Sequence, residues 1–107
     1  WIANLPIQYG TPRDEYHARF ERGLADLAAK VRPELVLVSA GFDAHRQDPI
    51  GSLELETEDF GRLTRTVLDV ARQYAGGRLV SLLEGGYHPQ RLAESVAAHL
   101  HELLTAP

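Results

Sequence analysis

Two short stretches of this chain carry side chains suited to chemistry. In VSAGFDAHRQDPIG, residues 38–51, an apolar run breaks abruptly into Gly41-Phe42-Asp43-Ala44-His45, and Asp48 follows. In LLEGGYH, residues 82–88, a second apolar run ends in Glu84-Gly85-Gly86-Tyr87-His88. Carboxylates and imidazoles bind divalent metals and carry protons, and a phenol can donate to a developing oxyanion. The residues alone leave the roles open. Asp43 reads either as a metal ligand or as a loop residue or helix-cap acceptor, since Asp is common after strands. His45, two residues on, makes a D-x-H pair that could chelate in an extended segment, or it is an exposed or supporting histidine. Asp48 precedes Pro49, a turn start, and reads as structural. Gly85 and Gly86 allow the backbone to pass close to a ligand, and Tyr87 either faces that ligand or packs on the sheet rim. The pair lacks any G-x-G-x-x-G or G-K-[ST] pattern, which argues against a nucleotide site. Glu84 ends a buried run and needs a partner. His99 and His101 fall on different sides of a helix, and His17 and His88 read as a surface residue and a cap neighbour.

Positioning these groups requires regular elements. WIANLPI reads as a short strand. TPRDEYHARFERGLADLAAKV reads as a helix, with Thr11 as N-cap, Pro12 first, Asp14 as capping acid and Tyr16, Phe20, Leu24, Leu27 and Val31 on one apolar face. ELVLVSAG is apolar on both faces, as in a parallel strand covered on two sides. TEDFGRLTRTVLDVARQYAGG is a second helix, capped by Thr57 and stopped by Gly76-Gly77, with Phe60, Leu63, Val67, Val70, Ala71 and Tyr74 inward. RLVSLLEGG is another strand, and PQRLAESVAAHLHELL a third helix with Leu92, Val96, Leu100 and Leu103 inward. The order β-α-β-α-β-α predicts an α/β fold with a partial parallel sheet and flanking helices. Ligands of such sheets bind beyond the carboxyl ends of the strands, where both polar stretches fall. Three strands make a narrow sheet, and an edge is expected to pair with a neighbour.

Bulk properties remove whole classes of function. The formal net charge is −4 with no basic cluster, so there is no footprint for nucleic acid. No apolar stretch approaches the roughly 20 residues of a membrane span. The N-terminus lacks the basic start and apolar core of a secretory signal, and a cytoplasmic location is expected. With no cysteine in the chain, any metal must sit on oxygen and nitrogen ligands, which favours zinc or another divalent ion. The chain has no methionine and opens on Trp1, so it is expected to be a piece of something longer.

Three of these stretches together resemble the zinc-dependent histone deacetylase family, class II-like members and acetylpolyamine amidohydrolases included. NLPIQYGTPRDEY is similar to the family's N-x-P-L-x-x-G-T-x-D-x-x-Y segment, through Asn4, Pro6, Gly10, Thr11 and Tyr16. PELVLVSAGFDAHRQDPIGSLELETEDF resembles the strand and loop that deliver a zinc-binding aspartate, and LLEGGY the segment that delivers the active-site tyrosine. The resemblance implies that residues 1–107 are the C-terminal portion of an arginase/deacetylase-type α/β domain whose N-terminal part is absent. It implies that Asp43 is a zinc ligand and that Tyr87 hydrogen-bonds the scissile carbonyl of an acetylated amine. Gly85, Gly86 and Ile50 then lie along the substrate, while His45 stays off the metal. The family's separate D-x-H ligand pair and its paired histidines have no counterpart here, so the isolated chain is expected to be inactive. Family members selective for acetylpolyamines can carry a glutamate where Ile50 stands, so its apolar side chain points to acetyl-lysine or a related amide. The expected partners are that substrate and either the missing part of the fold or a second copy at the sheet edge. The competing reading is a non-catalytic α/β interaction or oligomerisation module.

Overall fold

Glu56 starts the helix that organises the molecule. Its side chain accepts the Asp59 amide while the Asp59 carboxylate accepts the Glu56 amide at 2.7 Å, a reciprocal capping box. The cap therefore lies one residue before the expected Thr57, which is freed to pair its Oγ1 with His45 Nε2 at 3.3 Å. The helix, α2 (Thr57–Tyr74), ends where the amides of Ala75 and Gly77 both reach Ala71 O, at 2.8 and 2.9 Å. Gly76 and Gly77 take φ of +61° and +80° there, a conformation costly for any residue with a Cβ.

The computed structural model describes residues 1–106. Around α2 it arranges α1 (Arg13–Val31), β1 (Val36–Ala40), β2 (Leu79–Leu83) and α3 (Pro89–Thr105). β1 and β2 pair in parallel, from Val36 opposite Leu79 to Ala40 opposite Leu83. The α/β class, the parallel pairing and the flanking helices match what the residue pattern indicates.

The expected first strand does not form: residues 1–8 have no regular structure, and the described sheet has two strands. Trp1 and Ile2 are 83% and 89% exposed, and apolar residues without a strand beside them gain nothing from extending. The start of α1 also differs. Pro12 occupies the cap position with no side-chain cap, and Thr11 Oγ1 instead donates to Gln8 O at 2.7 Å. Arg13 then reaches across to α2, placing its Nε 2.7 Å from Asp59 Oδ2. His17, expected at the surface, is fully buried with Nε2 2.8 Å from Asp59 Oδ1.

The core gathers under one face of the sheet from Ala40, Phe42, Leu55 and Phe60, with Tyr16, Val38, Leu63, Leu92 and Val96 packed on it. Phe42 and Phe60 meet with ring centroids 5.1 Å apart. Each such side chain contributes about 1.5–3 kcal/mol by leaving water. Along α3 the buried positions are Ser95 and His99, whereas Leu100 is half exposed, contrary to the expected stripe. His99 is buried with both its nitrogens met: Nδ1 by Thr64 Oγ1 at 2.7 Å and Nε2 by Ser81 Oγ at 2.8 Å. Thr64 spends its single proton on Phe60 O, so His99 donates from Nδ1 and accepts Ser81's proton at Nε2. The other sheet face is bare. Leu37, Val80 and Leu82 remain exposed there, so among the described residues the sheet is covered on one side rather than two.

Candidate active site

The pairing of β1 and β2 continues past the strands and delivers both polar stretches to one rim. Glu84 N donates to Ala40 O at 2.9 Å and Phe42 N to Gly85 O at 2.8 Å. Phe42 anchors its loop by burying its ring in the core, which turns the next residue, Asp43, to the partly open rim. The Asp43 carboxylate lies in a notch that only glycines leave open. A Cβ added to Gly85 would stand 2.9 Å from Asp43 Oδ1, and one added to Gly41 3.0 Å from it. Behind the same residue, a Cβ on Gly51 would come within 2.0 Å of the Asp43 carbonyl oxygen. Loop 41–51 thus folds back on Asp43, and the second loop lies against its carboxylate.

Tyr87 follows directly. Gly86 takes φ of +136°, and a Cβ there would strike Leu92 Cδ1 at 2.6 Å, so this glycine serves the bend into α3. Tyr87 is 53% exposed, open to solvent rather than packed flat on the rim. Its amide donates to Asp48 Oδ2 at 2.8 Å. His88 then caps α3, its Nδ1 accepting the Arg91 amide at 3.2 Å, and Pro89 occupies the first turn. Ile50 is exposed beside Asp48, to whose Oδ1 its amide donates at 2.8 Å. The structure therefore joins the loops of Asp43, Ile50, Gly85, Gly86 and Tyr87 at one end of the sheet.

Four further residues complete the picture, and two of them, His45 off the metal and Asp48 as a structural residue, agree with their sequence reading. His45 is buried and fully engaged: Nδ1 accepts the Gln47 amide at 3.1 Å, which leaves the Nε2 proton for Thr57. Its ring stacks on Phe60, and burial lowers its pKa, with the Arg91 and Arg46 charges adding to the effect. Neither nitrogen is left for a metal. Glu84 is exposed, so the partner a buried carboxylate would need is not required. Asp48, read as a structural turn residue, does close that turn, and it is also buried at 3% exposure and bridges both loops. The Asp-Pro pair signals the turn but nothing local signals the cross-loop bond. Tyr16, read as part of an apolar face, also belongs near the site. Burial raises the pKa of its phenol, and the charge of Asp43 raises it further.

Among the described residues no three Asp, Glu or His side chains gather as a metal-binding group. Asp43 thus fits a divalent ion as one carboxylate donor held in a glycine notch, not as a whole site. Neither of the two roomier cavities, of about 560 and 530 Å³, is lined by Asp43 or Tyr87. No described helix is long and apolar enough to cross a membrane.

Comparison with known proteins supplies the context for this rim. Residues 1–103 match the family model described as the histone deacetylase domain. The chain is 45% identical over 108 aligned positions to a human protein named polyamine deacetylase HDAC10, covering the whole chain and 16% of that protein. It is 38% identical over 104 residues to the rice protein named histone deacetylase 10, chloroplastic, covering 97% of the chain and 24% of that protein. The crystal structure of the HDA15 HD domain superposes with a TM-score of 0.79 at 31% identity, over 91% of this chain and 26% of that one. The chain therefore spans about a quarter or less of these relatives. A domain match over nearly every residue, at these identities and with this fold, makes the chain a member of the histone deacetylase family.

Proposed function

We propose that these residues supply the Asp43- and Tyr87-bearing part of a zinc-dependent deacetylase that hydrolyses an acetylated amine to acetate and free amine. The observation that carries this reading is the junction of the two loops, with Gly85 of the tyrosine loop lying against the Asp43 carboxylate. Zinc, when bound, supplies a Lewis acid for the amide carbonyl and a water acidified toward a pKa of about 7. Asp43 contributes one carboxylate oxygen to holding it, and the notch keeps that oxygen from swinging away. A three-ligand site needs two further donors from outside the described residues. Tyr87 donates its hydroxyl proton to the carbonyl oxygen as negative charge builds there, an interaction worth roughly 3–4 kcal/mol.

Ile50 bears on the substrate. An exposed apolar side chain next to the aspartate loop offers nothing to attract a second ammonium, which favours acetyl-lysine or a similar amide over an acetylpolyamine. Ile50→Glu is accordingly expected to shift kcat/KM toward acetylspermidine, by about tenfold for an added charge pair of ~1.4 kcal/mol. Unchanged relative rates on the two substrates would remove Ile50 from the pocket.

The activity itself is tested by Tyr87→Phe in the protein at its natural full length. The expected result is a kcat lower by about 100- to 1,000-fold with bound zinc unchanged, since only the proton donor is removed. A variant as fast as the parent would refute the assignment of Tyr87. The alternative, a non-catalytic interaction module, draws its support from the bare face of Leu37, Val80 and Leu82. It makes no use of the Asp43 and Tyr87 loops, and catalytic turnover at full length would exclude it.

A further inference from the structure

A carboxylate buried at 3% exposure requires several donors, and Asp48 finds them on two separate loops. Oδ1 takes the amides of Ile50 at 2.8 Å and Gly51 at 3.0 Å, closing the turn that packs Gly51 behind Asp43. Oδ2 takes the amide of Tyr87 at 2.8 Å, 39 residues away in sequence. The first pair of bonds is an ordinary local turn, which a serine could also make. The bond to Tyr87 is not local. It pins the backbone of a residue whose side chain is half exposed, on a segment that follows two glycines and lies outside both the strand and the helix. Such a segment has little else to fix it.

From this geometry we infer that Asp48 is a positioning residue for Tyr87: one carboxylate sets the aspartate loop with Oδ1 and the tyrosine loop with Oδ2, so that the two hold a common register. The inference rests on the reading of Tyr87 as the proton donor. An anion suits the task better than an amide, because three N–H groups converge on two oxygens and each bond is charge-assisted. Asparagine at this position offers one oxygen and an NH2. Facing the turn with its oxygen, it meets the Tyr87 amide donor to donor.

The test is a double-mutant cycle in the full-length metal-loaded protein, read by kinetics and by hydrogen exchange of the 84–88 segment. Asp48→Asn is expected to lower kcat by about 10- to 100-fold, as a displacement near 1 Å does, with zinc content unchanged and faster exchange at Tyr87. In a Tyr87→Phe background the same substitution is expected to change kcat by less than about twofold, because its effect runs through the missing hydroxyl. Asp48→Ser keeps the turn but is too short to reach Tyr87. It is expected to give the same pattern, and it carries the test should Asp48→Asn not fold. Equal losses in the two backgrounds, or unaltered exchange at Tyr87, would overturn the positioning role and leave Asp48 a stabilising residue. If Tyr87→Phe alone were fully active, the proposed function would fail first, and that single-variant result distinguishes the two failures.

Discussion

The Asp43 carboxylate depends on neighbours that lack a side chain. Gly85 and Gly41 leave the room in which the Asp43 carboxylate sits, and Gly51 lets the loop close behind it. Gly85→Ala is expected to push that carboxylate from its notch and weaken metal binding by about 10- to 100-fold, the usual cost of disturbing what orients a ligand. Competition against a chelating dye reads it, and an unchanged affinity would show that Asp43 is placed by other means. The identities of Asp43 and Tyr87 as candidates were legible from the sequence, because each ends an apolar run with a reactive group. The role of Asp48 was not. Its second bond spans 39 residues and depends on strand pairing that no local pattern encodes. The burial of His17 is not legible in the sequence for a similar reason: its partner, Asp59, lies on another helix.

Helices and strands are held together by polar contacts that set a pH dependence. Burial lowers the pKa of His99 between α2, α3 and β2, and burial likewise leads at His45. A lowered histidine pKa means that the unfolded chain binds the proton more readily. The stabilising contribution is therefore full above the ordinary value of 6.5 and declines as pH falls below it. Asp48 and Asp59 act in a lower window. Burial opposes their charge, but backbone amides at Asp48, and Arg13, the Glu56 amide and His17 at Asp59, outweigh it and hold both pKa values down. Their contribution is present above 3.8 and lost as pH drops through the lowered values. Urea midpoints are expected to fall in two stages, below about pH 6.5 and again below about pH 4. His99→Gln should remove part of the first stage; a slope identical to the parent's would place the effect elsewhere. At this scale the sequence showed where α2, α3 and both paired strands run, because periodicity and glycine stops are local. It did not show that His99 replaces Leu100 in the core, since the Thr64 and Ser81 hydroxyls that meet its ring come from other elements.

The described residues form a two-stranded parallel sheet with helices on one face and exposed leucines and valine on the other. Apolar residues on both faces of ELVLVSAG signalled a strand covered on two sides, whereas among the described residues only one face is covered. WIANLPI signalled a strand that has no neighbour to pair with among the described residues. The isolated 107-residue chain is expected to bind a hydrophobic dye and to self-associate with rising concentration, measured by sedimentation velocity. Leu37→Lys with Leu82→Lys should reduce both, and a monomeric, dye-silent parent would contradict it. The same chain is expected to show no zinc-dependent turnover of acetyl-lysine, as one carboxylate is too few donors. Asp43→Asn in the full-length protein, with zinc and turnover measured on the same sample, tests whether Asp43 holds the metal of a deacetylase. Bound zinc and deacetylation are expected to fall together while the fold survives; a variant that keeps its full zinc and its full turnover would refute Asp43 as a metal ligand.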